Sequence, residues 1–179
     1  SKYSFYINKE DFFIYLGRID QTKGTHRAVQ AARRSGNRLV IMGPIANPRY
    51  FNEFVKPFID GKNIIYLGEV NFRTKVRYLA RAKALLYPVQ YEEFFGIAMV
   101  EALVTGTPVI GFAKGAVTEI VRHGINGFLV RDIEEMIKAM NSIDVIDPGE
   151  CRKDAEQRFS SKSMARKYTS LYKKLAELT

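Results

Sequence analysis

Apolar residues along this chain follow two rhythms that alternate as far as about residue 146. Short unbroken runs come first: Phe12-Phe13-Ile14-Tyr15-Leu16, Leu39-Val40-Ile41-Met42, Ile64-Ile65-Tyr66-Leu67 and Ala84-Leu85-Leu86-Tyr87, each closed by glycine or proline. Pro108-Val109-Ile110-Gly111 and the shorter Phe128-Leu129-Val130 have the same character. Runs without polar alternation predict strands buried on both faces. Between them the spacing turns helical. Ala28, Val29, Ala31 and Ala32 predict a helix that follows Gly24 and ends at Gly36. Asn47-Pro48 predicts an N-cap and first helical position, with the stripe Phe51, Phe54, Val55, Phe58 and Ile59 making one helix stopped by Asp60-Gly61. Asn71 should cap a helix carrying Phe72, Val76, Leu79 and Ala80, and further helices are expected at 97–104, 117–121 and around Ile133, Met136, Ile137 and Met140.

Strand-helix pairs with short connections predict a Rossmann-like α/β domain over residues 1–146, a parallel sheet with helices on both faces. From 147 to 179 the pattern is helical only. The last helix sets Met164, Tyr168, Leu171, Tyr172, Leu175 and Leu178 opposite Lys162, Lys167, Lys173 and Lys174. It is expected to pack on its own domain, ahead of docking on a missing N-terminal domain or lying on a membrane surface.

Composition narrows the picture only a little. At 179 residues, 46% hydrophobic and 26% charged, the chain suits one globular domain. No run approaches the roughly 20 apolar residues of a membrane span. No signal-peptide pattern is present, and a start at Ser1 without methionine reads as a trimmed chain or a piece of a longer one. Cys151 is the single cysteine, so no internal disulfide can form, and a reducing compartment is expected: the cytoplasm, or the inner face of its membrane. With two histidines, no zinc set is expected and no metal site is assigned. The net charge of +9 favours anionic partners, but the basic residues are scattered, and no stripe of interleaved aromatics marks a nucleic-acid groove.

Ligands of doubly wound sheets bind beyond the carboxyl ends of the strands. There, the first turn reads Gly17-Arg18-Ile19-Asp20-Gln21-Thr22-Lys23-Gly24, two cations feeding a helix N-terminus, which suits an anion. It is neither G-x-G-x-x-G nor a Walker A loop. After the fourth strand comes Glu93-Phe94-Phe95-Gly96, where the amides of Phe95, Gly96 and Ile97 offer a second anion site. Glu101 is the one polar group in the eight residues 97–104, a helix apolar all round and therefore expected inside the protein. Its carboxylate suits a pair of sugar hydroxyls or an internal salt bridge. Glu93 is either a ligand-facing acid or a solvated loop residue. His26, near Lys23, reads as a packed or exposed helix histidine.

Taken together, the turn at Arg18 and Lys23, the Glu93-x7-Glu101 spacing with Phe95-Gly96, Thr105-Gly-Thr-Pro108-Val-Ile, Glu119-Ile-Val and Gly124-Ile-Asn-Gly-Phe-Leu-Val130 resemble glycosyltransferase family 4, enzymes of the retaining GT-B type. The likeness spans about residues 12–131 and is to the C-terminal, donor-binding domain. It implies that Arg18, Lys23 and the amides of Phe95, Gly96 and Ile97 hold the diphosphate of a nucleotide-sugar donor, with a UDP-sugar favoured. It implies further that Glu93 contacts the transferred sugar as the catalytic residue, that Glu101 binds the ribose, that Gly43 and Val70 line the base pocket, and that no cofactor or divalent metal takes part. The acceptor, a sugar or a lipid-linked molecule, would meet a missing N-terminal domain, so little activity is expected of this chain alone. Phe94 stands where proline is frequent, Lys114-Gly115 where a glycine pair is common, and Thr118 at a frequent proline position. A GT-B nucleotide-sugar epimerase and, further off, a basic anion- or nucleic-acid-binding module are the competing readings.

Overall fold

The structure, a computed structural model, describes residues 3–176. Six strands, β1 (Phe13–Leu16), β2 (Leu39–Met42), β3 (Ile64–Tyr66), β4 (Leu85–Tyr87), β5 (Val109–Phe112) and β6 (Gly127–Val130), form one sheet ordered β3-β2-β1-β4-β5-β6. Every neighbouring pair is parallel. The unbroken apolar runs have the cause proposed for them: β2, β4 and β5 are buried along their whole length, because helices cover both faces.

Those helices are α1 (Thr25–Ser35), α2 (Pro48–Phe54), α3 (Phe72–Arg81), α4 (Ile97–Val104), α5 (Val117–Ile120), α6 (Ile133–Asn141), α7 (Pro148–Phe159) and α8 (Ser161–Ala176). α1 packs beside α6, and α4 lies between α3 and α7. Their starts are chemically marked. Asn71 Oδ1 accepts from the Thr74 amide at 2.9 Å, and Asp132 Oδ1 accepts from the Glu135 amide at 2.9 Å. Such caps satisfy N–H groups that a helix start leaves unpaired.

Three expectations are corrected. The stripe from Phe51 to Ile59 is not one helix: α2 stops at Phe54 and a 3₁₀ turn follows at Lys56–Phe58. Pro57 has no N–H to give Glu53, and its ring would collide with that carbonyl. The 97–104 helix is not buried all round, since Ile97 is 67% exposed while Met99, Ala102 and Leu103 form the inner face. α8 buries only Ser163 among its described residues, and Met164, Tyr168, Leu171, Tyr172 and Leu175 are all exposed; Leu178 lies outside the described residues.

α7, by contrast, is firmly attached. Asp154, buried, accepts from Arg122 at 3.0 Å, from Arg158 at 2.8 Å and from Asn126 at 2.8 Å. Cys151 is fully enclosed, and burial pushes its thiol up to about 12. Among the described residues no helix is long and apolar enough to cross a membrane.

Candidate functional site

The strand order reverses between β1 and β4, and the loops leaving these two strands diverge around a crevice. They are nevertheless tied together. The Gln90 amide donates to Thr22 O at 2.7 Å. Gly24, in the left-handed region at φ 71°, starts α1 so close to the second loop that a Cβ there would stand 2.0 Å from Pro88 O. Only glycine permits both the dihedral and the approach.

Lys23 and Glu93 meet across this crevice. Lys23 Nζ lies 2.6 Å from Glu93 Oε2 and 2.5 Å from the Tyr91 hydroxyl. The same Oε2 accepts from Tyr87 OH at 2.5 Å and from Tyr91 OH at 2.9 Å, while Oε1 accepts from the Phe94 amide at 3.1 Å. Glu93 is thus no solvated loop acid; it is 8% exposed. Burial alone would raise its pKa, but the bonds from Lys23, Tyr87 and Tyr91 outweigh it and hold the carboxyl below its ordinary value. Burial likewise pulls Lys23 down, and its bonds to Glu93 and Tyr91 carry it above the usual lysine value. Both groups are charged at neutral pH.

Around this centre the other sequence-derived residues are distributed unevenly. Arg18 stands at the mouth with a side chain 62% exposed and 3.4 Å from Asp20. Gly96, at φ 76°, is the N-cap of α4, so the amides of Phe95, Gly96 and Ile97 lie at that helix start, beside Glu93. A Cβ on Gly96 would stand 3.0 Å from the Tyr87 hydroxyl, one of the groups that fixes Glu93. Phe94, next in the chain, is 94% exposed.

Gly43 follows β2, the strand beside β1, so close to the first loop that a Cβ there would stand 1.9 Å from Gly17 O, and Val70 follows β3, one strand further out. The Gly43 amide donates to Gly68 O at 2.9 Å, and Tyr66 OH donates to Gly43 O at 3.0 Å, which holds these two loops side by side. Glu101 carries the internal salt bridge that was one of its two readings: Lys75 Nζ is 2.6 Å from Oε1. The His26 ring packs edge-on against Tyr50, whose hydroxyl lies 2.6 Å from Nδ1.

Tyr87, Tyr91 and Lys75 escaped the sequence reading. Tyr91 had a local signal, two residues before an acid. Tyr87 read only as a strand residue, and nothing in the chain's spacing links Lys75 of α3 to Glu101 of α4.

The family model for "Glycosyl transferases group 1" matches residues 4–158. The chain belongs to that family. Among curated relatives of this group 1 glycosyltransferase domain, a 41.2 kDa protein of the Klebsiella pneumoniae cps region is 28% identical over 177 residues, spanning 93% of this chain and 48% of its own. An uncharacterised glycosyltransferase of Methanocaldococcus jannaschii is 25% identical, spanning 94% and 46%. The chain therefore spans about half the length of these curated relatives. The crystal structure of AviGT4, a glycosyltransferase involved in avilamycin A biosynthesis, superposes with a TM-score of 0.81 at 29% identity, covering 94% of this chain and 52% of AviGT4. HepE of Anabaena, solved with UDP and glucose, shares the fold at a TM-score of 0.77 and 20% identity, with 90% of this chain and 49% of HepE covered. The likeness to GT-B glycosyltransferases that the motifs suggested is met by both family and fold.

Proposed function

We propose that this domain binds the nucleotide-sugar donor of a retaining hexosyltransferase, with a UDP-sugar favoured. The observation that carries the reading is the Lys23–Glu93 pair at the switch point, ringed by Tyr87 and Tyr91 and flanked by the N-terminus of α4. An ammonium has three N–H donors. Two are engaged by Glu93 and Tyr91, which leaves one for a phosphate oxygen. Glu93 Oε1, bonded to the Phe94 amide, retains room to accept from a sugar hydroxyl.

Breaking the bond between the anomeric carbon and the diphosphate builds negative charge on the leaving phosphates. Arg18, Lys23 and the amides of Phe95, Gly96 and Ile97 are the groups to stabilise that charge, without need of a metal ion. Glu93 holds the sugar in place, and positioning is itself a large part of the rate. Glu101 keeps a second carboxylate oxygen for the ribose beside its bond to Lys75, and the loops at Gly43 and Val70 take the base. The acceptor is assigned to a further domain, as the half-length match to the relatives suggests, so this chain alone should show little turnover. HepE, a protein of the same fold, was solved with UDP and glucose, which supports the choice of base.

The test is a thermal-shift panel of UDP, GDP, ADP and pyrophosphate, without metal, on the native chain and on Arg18→Ala. UDP should raise the melting temperature most. Arg18 is mostly exposed, so its removal should leave the ligand-free melt alone while weakening UDP by about 1.5–3 kcal/mol, the scale of a charged hydrogen bond. Titration calorimetry giving the same affinity for both proteins would remove the diphosphate assignment.

A further inference from the structure

A groove of about 440 Å³ opens between α1 and α6, on the side of α1 away from α2, and it is lined by Arg27, Arg34, Lys114, Arg131, Asp132 and Glu134. The charges in it are not equally occupied. Asp132 caps α6 through the Glu135 amide, and Glu134 is paired with Arg34 at 2.6 Å. Arg131 is turned to Glu135. Arg27 and Lys114 have no carboxylate partner among the described residues. Arg27 Nε is buried and makes no hydrogen bond there, and Lys114 Nζ reaches only the carbonyl of Gln90 at 3.3 Å. The enclosed Nε has no exposed surface, so Arg27 would meet a ligand in the groove through its outer guanidinium nitrogens. Two uncompensated cations call for a dianion more than a monoanion, and the space exceeds what a bare phosphate fills.

We propose that this groove is a second oxyanion site, separate from the diphosphate site, that takes a small phosphate monoester such as a sugar phosphate. Arg27 supplies a forked donor from α1 and Lys114 a point charge from the loop after β5, the two combinations by which phosphates are commonly held. The groove also shares a wall with the first site. Gln90, which lines it, is bonded through its amide to Thr22 in the loop that carries Lys23. Occupation would therefore stiffen one side of the crevice, which suits either a phosphorylated effector or the phosphate of a substrate. The proposal does not rest on the donor reading, because none of its cations belongs to that site.

The test is a calorimetric titration of the whole chain with glucose 6-phosphate, inorganic phosphate and glucose, each with and without saturating UDP. Glucose 6-phosphate should bind in the presence of UDP and equally well to Arg18→Ala. It should bind about tenfold or more weakly to Arg27→Gln and to Lys114→Gln, the loss of one charge-assisted bond. Lys114 is only half-buried, so its variant decides the matter if Arg27→Gln fails to fold. Competition by UDP, unchanged affinity in Lys114→Gln, or no heat of binding at millimolar ligand would overturn the site. Equal affinity for inorganic phosphate would overturn the monoester.

Discussion

Glu93 and Lys23 form the contact that ties the stability of the chain to the centre of the proposed donor site. Removing the cation as Lys23→Met leaves a carboxylate enclosed beside two phenols, and breaking such a pair costs about 3 kcal/mol. The penalty has a definite pH dependence. Because the Glu93 carboxyl is held below its ordinary value in the folded chain, the stability it contributes is present above the unfolded carboxylate pKa and is lost as pH falls through the folded one. Urea unfolding should therefore separate native and Lys23→Met chains widely at neutral pH and much less in acid, where Glu93 is protonated in both. A gap independent of pH would mean that lost packing, not the ion pair, is responsible. At this scale the sequence was legible in part. Arg18, Lys23 and Glu93 stand out because charges flank glycine turns after apolar runs. The phenols of Tyr87 and Tyr91 do not, since a tyrosine in a strand looks like core until its hydroxyl's partner is known. Glu101 was conspicuous for the opposite reason, a charge alone in an apolar helix, and the partner that explains it sits on another helix.

The elements were legible wherever local chemistry and burial agree. β2 runs over the four residues that the apolar run picked out, and α1 begins after Gly24 and ends before Gly36, both left-handed as their type allows. Agreement failed where a competing rule acts on one residue: Pro57 divides a continuous apolar stripe that periodicity alone joins. The start of α4 is the element on which most depends. Gly96→Ala must hold a left-handed backbone, which costs a non-glycine residue about 1–3 kcal/mol, and its Cβ would press on Met99 Cε at 2.4 Å as well as on Tyr87. Met99 can swing aside; the Tyr87 hydroxyl can do so only by releasing Glu93. We expect this variant to lose stability by that amount and UDP affinity with it. Circular dichroism melts combined with calorimetry check both, and a destabilised variant that binds UDP with native affinity would detach the helix start from the ligand.

For the whole molecule, parallel order brings every strand's carboxyl end to one end of the sheet, so Gly17, Gly43, Val70 and Glu93 are gathered there by topology before any side chain is considered. Strand-helix alternation made that architecture readable, whereas the neighbours on each helix surface were not. The bare apolar stripe of α8 is the clearest case: its spacing marks a helix and its composition marks a buried face, but spacing does not name what buries it. α7, which directly precedes it, is instead clamped to α4 and to the turn between α5 and β6. That clamp encloses the chain's single thiol, and so the protein carries its own clock. Cys151 is fully enclosed, so a thiol reagent reaches it only when α7 moves, and burial holds its pKa up for as long as it stays enclosed. The labelling rate thus times the opening of the helix that backs the proposed nucleotide site. Saturating UDP should slow that rate if the ligand grips the start of α4, and an unchanged rate would show that the two ends of α4 move independently.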